Sequence, residues 1–113
     1  MKSAYMRFLT LLAKIEQGSD IHTLDEVSKR LLDTIAMRHA AGSSLTVTEA
    51  MALNTLSSPA TIHRKLDQLS SMGFIEVEFR EGNRRSKYLV LSPTSIKHYE
   101  KLGSALIDAL KKP

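Results

Sequence analysis

From Ser58 to Gly73 the chain reads Ser-Pro-Ala-Thr-Ile-His-Arg-Lys-Leu-Asp-Gln-Leu-Ser-Ser-Met-Gly. At about 100° per residue in a helix, Ile62, Leu66 and Leu69 fall on one narrow face. Ala60, Arg64, Gln68 and Ser71 fall opposite, flanked by Ser57 and Thr61. One side of such a helix is built for burial and the other is small, polar and hydrogen-bonding. Arg, Gln, Ser and Thr are side chains that match donor and acceptor patterns on base edges in the DNA major groove. Further along, Glu76, Glu78 and Glu81 come first, and Asn83, Arg84, Arg85 and Lys87 then follow with no acid among them. That local cluster suits phosphate oxygens.

Other chemistries find little support. The chain has no cysteine, which excludes thiolate zinc sites, disulfides and thiol nucleophiles. His22, His39, His63 and His98 lack the His-Glu-x-x-His spacing of a metal site. There is no Gly-rich phosphate loop, no Gly-x-Ser-x-Gly elbow and no grouped acid–base set. Neither an enzyme, a cofactor nor a metal is expected. The net charge is +4 over 113 residues, with 42% hydrophobic and 25% charged side chains. These are ordinary globular values, and the length suits one domain. No apolar run approaches the roughly 18 residues of a membrane span. Arg7 and Lys14 interrupt the N-terminal apolar stretch, which therefore reads as a helix and not a signal peptide. A cytoplasmic protein without membrane partners is expected.

The elements that must position these residues follow from periodicity and punctuation. Tyr5, Phe8, Leu9, Leu12 and Ile15 form one stripe of a helix over 3–17. Thr23-Leu-Asp-Glu26 has the form of a capping box. The helix after it buries Leu24, Val27, Leu31 and Ile35 and closes at Gly42. A second box, Thr46-Val-Thr-Glu49, opens a short helix to about Leu53. Ser58 and Pro59 are a good N-cap and first helical residue for the next one. Ile75 to Phe79 alternates apolar and acidic as a half-buried strand does, and Lys87 to Leu91 reads as a second strand across a basic loop, Glu81–Arg85. Ser92-Pro93 starts a last helix over 93–111, with Ile96, Tyr99, Leu102, Leu106 and Leu110 along one side. The fold class is mainly α with a small β-hairpin, α+β, in a single domain of residues 1–113.

A short helix, a tight turn and a second helix form a helix-turn-helix, whose second helix lies in the major groove with its N-terminal residues against base edges. Here the residues resemble a known family. The run from Leu45-Thr-Val-Thr-Glu-Ala through Ser58-Pro-Ala-Thr-Ile-His-Arg to Met72-Gly-Phe-Ile, with Asn83-Arg-Arg and Leu89-Val-Leu-Ser-Pro, is similar to the winged helix-turn-helix of the MarR-type transcriptional regulators. The resemblance covers about residues 23–95. It implies a homodimer on a palindromic operator, joined through the N- and C-terminal helices, with a small-molecule effector as a further partner. Asn83 stands where wings of that family usually carry Asp, and Ser95 where a Gly is usual. The chain ends at Pro113, where family members often continue through a longer C-terminal helical pair. The dimer interface is therefore expected to be smaller, or built mainly from the first helix.

The expected function is sequence-specific binding of double-stranded DNA by a transcriptional regulator. Helix 58–72 would enter the major groove, and the wing at 82–87 would meet the backbone or minor groove. Contacts are expected from Ser58, Ala60, Thr61, His63, Arg64 and Gln68 on the helix, and from Asn83, Arg84, Arg85 and Lys87 on the wing. Two rival readings are a winged helix used as a protein-interaction module and a DNA-binding subunit of a larger replication or phage-type assembly.

Overall fold

The computed structural model describes residues 3–80 and 82–111, apart from the side chains of Asn83 and Arg84. Its elements are α1 (Ala4–Gln17), a 3-10 turn (Asp20–Thr23), α2 (Glu26–Ala40), α3 (Val47–Met51), α4 (Pro59–Ser71), β1 (Ile75–Arg80), β2 (Asn83–Leu91) and α5 (Pro93–Lys111). They group into two compact units, one of residues 25–95 and one of residues 1–24 with 96–113.

In the unit 25–95, α2, α3, α4 and the base of the hairpin enclose a core. Leu31, Leu32 and Ile35 come from α2, Ala50 from α3, and Ile62, Leu66 and Leu69 from α4. Phe74, Ile75, Leu89, Val90 and Leu91 come from the hairpin. Burying one Leu- or Ile-sized side chain contributes about 1.5–3 kcal/mol, so these apolar stripes set how the helices pack. Local signals set the helix ends. Thr46 and Glu49 form the expected capping box, closed in both directions at 3.1 and 2.8 Å. The Ser58 hydroxyl accepts from the Thr61 amide and Pro59 occupies the first turn. Gly42 and Gly73 follow α2 and α4 with φ of 74° and 80°, the left-handed region that glycine enters without a Cβ penalty.

Two expectations change. The first is the start of α2. Thr23 does not cap it; its hydroxyl donates to the Asp20 carbonyl at 2.6 Å within the 3-10 turn. Asp25 is the cap, its carboxylate accepting from the Ser28 amide at 2.8 Å. A carboxylate at a helix N-terminus accepts a charge-assisted bond and complements the dipole, so it outcompetes a hydroxyl two residues earlier.

The second concerns the hairpin. It is antiparallel with Ile75 opposite Leu91 and Glu78 opposite Tyr88, then slips so that Arg80 pairs with Asn83. Arg84 and Arg85, expected in a loop, therefore lie in β2. Four residues, 84–87, face the single residue Phe79, which places Arg84, Arg85 and Lys87 in the irregular stretch. Only Ile75 of β1 is buried, and Val77 and Phe79 are exposed. The alternation is a strand signal, but the hairpin projects past the core that would bury its apolar face. Just before α3, Thr46 forms an isolated β-bridge with Tyr88, beside the Leu89 amide donating to the Leu45 carbonyl at 2.8 Å. The next outward amide, Leu91, donates to His39 Nδ1 at 3.0 Å.

Helix α5 starts in the unit 25–95 and continues into the other. Ser95, His98, Ala105 and Ala109 are its buried residues, whereas Ile96, Leu106 and Leu110 of the predicted stripe are exposed. In the unit of residues 1–24 and 96–113, Ile21 and Leu24 are also buried. Arg7 Nε and Nη2 donate to the Ala109 carbonyl at 3.0 and 2.8 Å, tying α1 to α5. The α1 stripe has no fully buried member.

Candidate nucleic-acid interface

Helix α4 turns a polar face to solvent because its opposite face is wholly used. Ile62, Leu66 and Leu69 are 0–5% exposed. Opposite them Ser58, Ala60, His63, Arg64 and Gln68 are exposed and Thr61 is half-buried. The N-terminal part of this face is internally connected. Ser58 Oγ lies 3.0 Å from Thr61 Oγ1, and Arg64 Nη2 donates to Thr61 Oγ1 at 3.4 Å. His63 Nδ1 lies 3.6 Å from the Asp67 carboxylate one turn on.

On the hairpin, Arg85 and Lys87 are exposed. The side chains of Asn83 and Arg84 lie outside the described residues. The two elements are thus held in one unit, with α4 packed on α2 and α3 and touching β1 at its end. A polar helix face and a basic ribbon on a common core can grip a duplex at two places.

Two features were not read from the sequence. Lys65, also on α4, donates to the Asp25 carboxylate and joins α4 to the start of α2. That ammonium, with the Ser28 amide, pulls the Asp25 carboxyl down to about 2. The only sequence signal was that Lys65 falls between the polar face and the buried stripe. Arg80, in turn, stacks its guanidinium 4.3 Å from the centre of the Tyr88 ring and pairs with Glu78 at 3.2 Å. Glu78 and Tyr88 stand opposite in the ladder and Arg80 follows two residues on, a grouping that has no counterpart in hydropathy.

The hairpin beside a helix-turn-helix decides the architecture. The fold is a winged helix of the MarR type. It is similar to a transcriptional regulator from Thermotoga maritima at a TM-score of 0.64 and 13% identity, over 91% of this chain and 69% of that one. It is also similar to Staphylococcus aureus MarR in complex with salicylate and kanamycin, at 0.58 and 21%, over 95% and 66%. A third is an S. aureus MepR–DNA complex, at 0.62 and 16%, over 96% and 87%. The chain spans about two thirds of the length of the first two structures. No protein-family model and no curated protein matches the sequence. In winged-helix terms, α3 and α4 are the helix-turn-helix and β1 with β2 is the wing.

Proposed function

We propose that the chain is a sequence-specific, double-stranded-DNA-binding transcriptional regulator that acts as a homodimer. Residues 58–68 of the recognition helix enter the major groove, and the wing around residues 82–87 meets the backbone or minor groove. The observation that carries this reading is the polar face of α4, with Arg64, Gln68 and Ser58 exposed opposite a fully buried stripe. A polar outer face is common to surface helices; what favours a duplex is that this face belongs to the second helix of a helix-turn-helix and shares a unit with a strand carrying Arg84, Arg85 and Lys87. Likeness to a MepR–DNA complex adds support for a duplex as partner.

The dimer would form through α1 and α5, whose Tyr5, Leu9, Leu106 and Leu110 are exposed in the single chain. A small-molecule effector is a further proposed partner. The groove of about 510 Å³ that α1 and α5 line with Leu11, Ile15 and Ala105, bordered by both lysines (Lys14, Lys97, Lys101) and carboxylates (Glu100, Asp108), offers room for one.

The test is selection from random duplexes followed by binding of the selected site. Arg64→Ala should cost roughly 1–3 kcal/mol and relax preference at one operator position, as loss of a bidentate base contact does. Absence of any sequence preference in the wild type, with Arg64→Ala binding as well as it does, would sink the reading in favour of a protein-interaction module.

A further inference from the structure

We propose that Thr61 is the positioning residue that aims Arg64 at a guanine, with Ser58 behind it in a three-residue relay. The proposal rests on the DNA-binding reading above. The Ser58 hydroxyl oxygen accepts from the Thr61 amide at 3.3 Å and its hydrogen is directed at Thr61 Oγ1, 3.0 Å away. Thr61 Oγ1 also accepts from Arg64 Nη2 at 3.4 Å. The cap of the helix is thereby coupled to the guanidinium one turn later.

Charge singles out the same arginine. Of the two basic side chains on α4 beside His63, Lys65 is consumed by Asp25. Among the described residues no carboxylate pairs with Arg64, whereas Arg80 on the wing is paired with Glu78. Arg64 thus keeps its full charge on the exposed face. A guanidinium has five N–H groups. One is spent on Thr61, and the rest exceed what a bidentate pair with guanine O6 and N7 requires. A long side chain held before the duplex arrives loses less freedom on binding than one that must be ordered there.

The experiment compares wild type, Arg64→Ala, Thr61→Val and Thr61→Ser in random-duplex selection. Binding to the selected duplex and to a scrambled one is then measured across salt concentrations. Thr61→Val should lose preference at the operator position that Arg64→Ala erases, and bind the selected duplex roughly tenfold more weakly, within the range of one bidentate pair. Its binding to the scrambled duplex and its salt slope should stay at the wild-type values. Thr61→Ser, which keeps the hydroxyl, should retain the preference. Thr61→Ala repeats the measurement if valine lowers the unfolding midpoint. A Thr61→Val protein that keeps the full preference overturns the relay and leaves the DNA reading standing. Equal weakening on both duplexes makes Thr61 a phosphate contact and also overturns it. A wild type that selects no sequence removes the DNA reading and the relay with it.

Discussion

The Ser95 hydroxyl donates to the carbonyl oxygen of Phe74 at 2.6 Å, and both residues are buried. The same carbonyl accepts from the Ser92 amide at 3.1 Å, while Ser92 Oγ accepts from the Ser95 amide at 3.2 Å. The strand entry after α4 is thus fastened to the start of α5. Ser95 occupies the place where the resemblance leads one to expect glycine, and here its hydroxyl has a defined task. Ser95→Ala should lower unfolding free energy by about 1–2 kcal/mol, the scale of a lost buried hydrogen bond. Ser95→Gly should cost more, because glycine adds backbone freedom to the first turn of a helix. Urea denaturation of the two variants checks the order.

Asp25 sets an acid-sensitive contribution. Its carboxyl is held well below the usual carboxylate range, at about 2, by the Lys65 ammonium and the Ser28 amide. A depressed carboxylate stabilises the fold above its unfolded pKa, and that stabilisation is lost as pH falls through the folded value. The window is therefore pH 4 to 2. The Asp25 side chain is about half exposed, so solvent screens the pair and the cap dominates, at about 1 kcal/mol. Thermal midpoints of Asp25→Ala should fall less steeply than wild type across that window. Parallel curves would mean that the cap and the Lys65 pair add nothing. Glu49, lowered by its bonds to Thr46, contributes with the same sign in both proteins.

Gly73 ends α4 at φ 80°, and a Cβ built there would meet nothing within 4 Å. The cost of Gly73→Ala is then purely conformational, about 1–2 kcal/mol for an L-residue in left-handed geometry. Gly73→Asn should cost less, since asparagine visits that region more readily. Equal losses for the two would point to packing instead of backbone conformation.

On the wing, Lys87→Ala and Arg84→Ala should weaken binding to all duplexes alike. Each should reduce the dependence of log affinity on log salt by about one unit. A sequence-selective loss at either position would move that residue from backbone contact to base reading.

Self-association of the proposed dimer is testable at its exposed apolar positions. Leu106 and Leu110 are 48% and 68% exposed in the single chain. Leu106→Glu and Leu110→Glu should therefore leave folding intact while shifting sedimentation at micromolar concentration from dimer to monomer. Variants that still sediment as dimers would place the interface elsewhere.

The sequence carried the helix-turn-helix well because its signals are local. Thr46 with Glu49, Ser58 with Pro59, and Gly73 each act within one turn, and Ile62, Leu66 and Leu69 repeat on one face. Long-range competition was less readable. Thr23 looked like a cap until Asp25, itself paired with a lysine forty residues away, took the role. On α5 the apolar stripe was legible, but the buried residues Ser95, His98, Ala105 and Ala109 were not, because they are small or polar and follow no hydropathy pattern. The polar face of α4 was visible as a pattern, but the Ser58–Thr61–Arg64 connection depends on rotamers that spacing does not determine. The wing's slip of register was hidden because Arg84 and Arg85 resemble loop residues by type.

The outward amides of Leu89 and Leu91 end on a backbone carbonyl and a histidine ring, not on a third strand. One border of the two-stranded sheet is thereby closed to any further chain. The opposite border, along β1, carries the charged Glu76, Glu78 and Arg80, alternating with Val77 and Phe79 in one exposed run. Charged side chains on an unpaired strand border discourage strand-by-strand growth between molecules. A projecting ribbon with exposed Val77 and Phe79 can therefore remain available to a partner without seeding aggregates of its own kind.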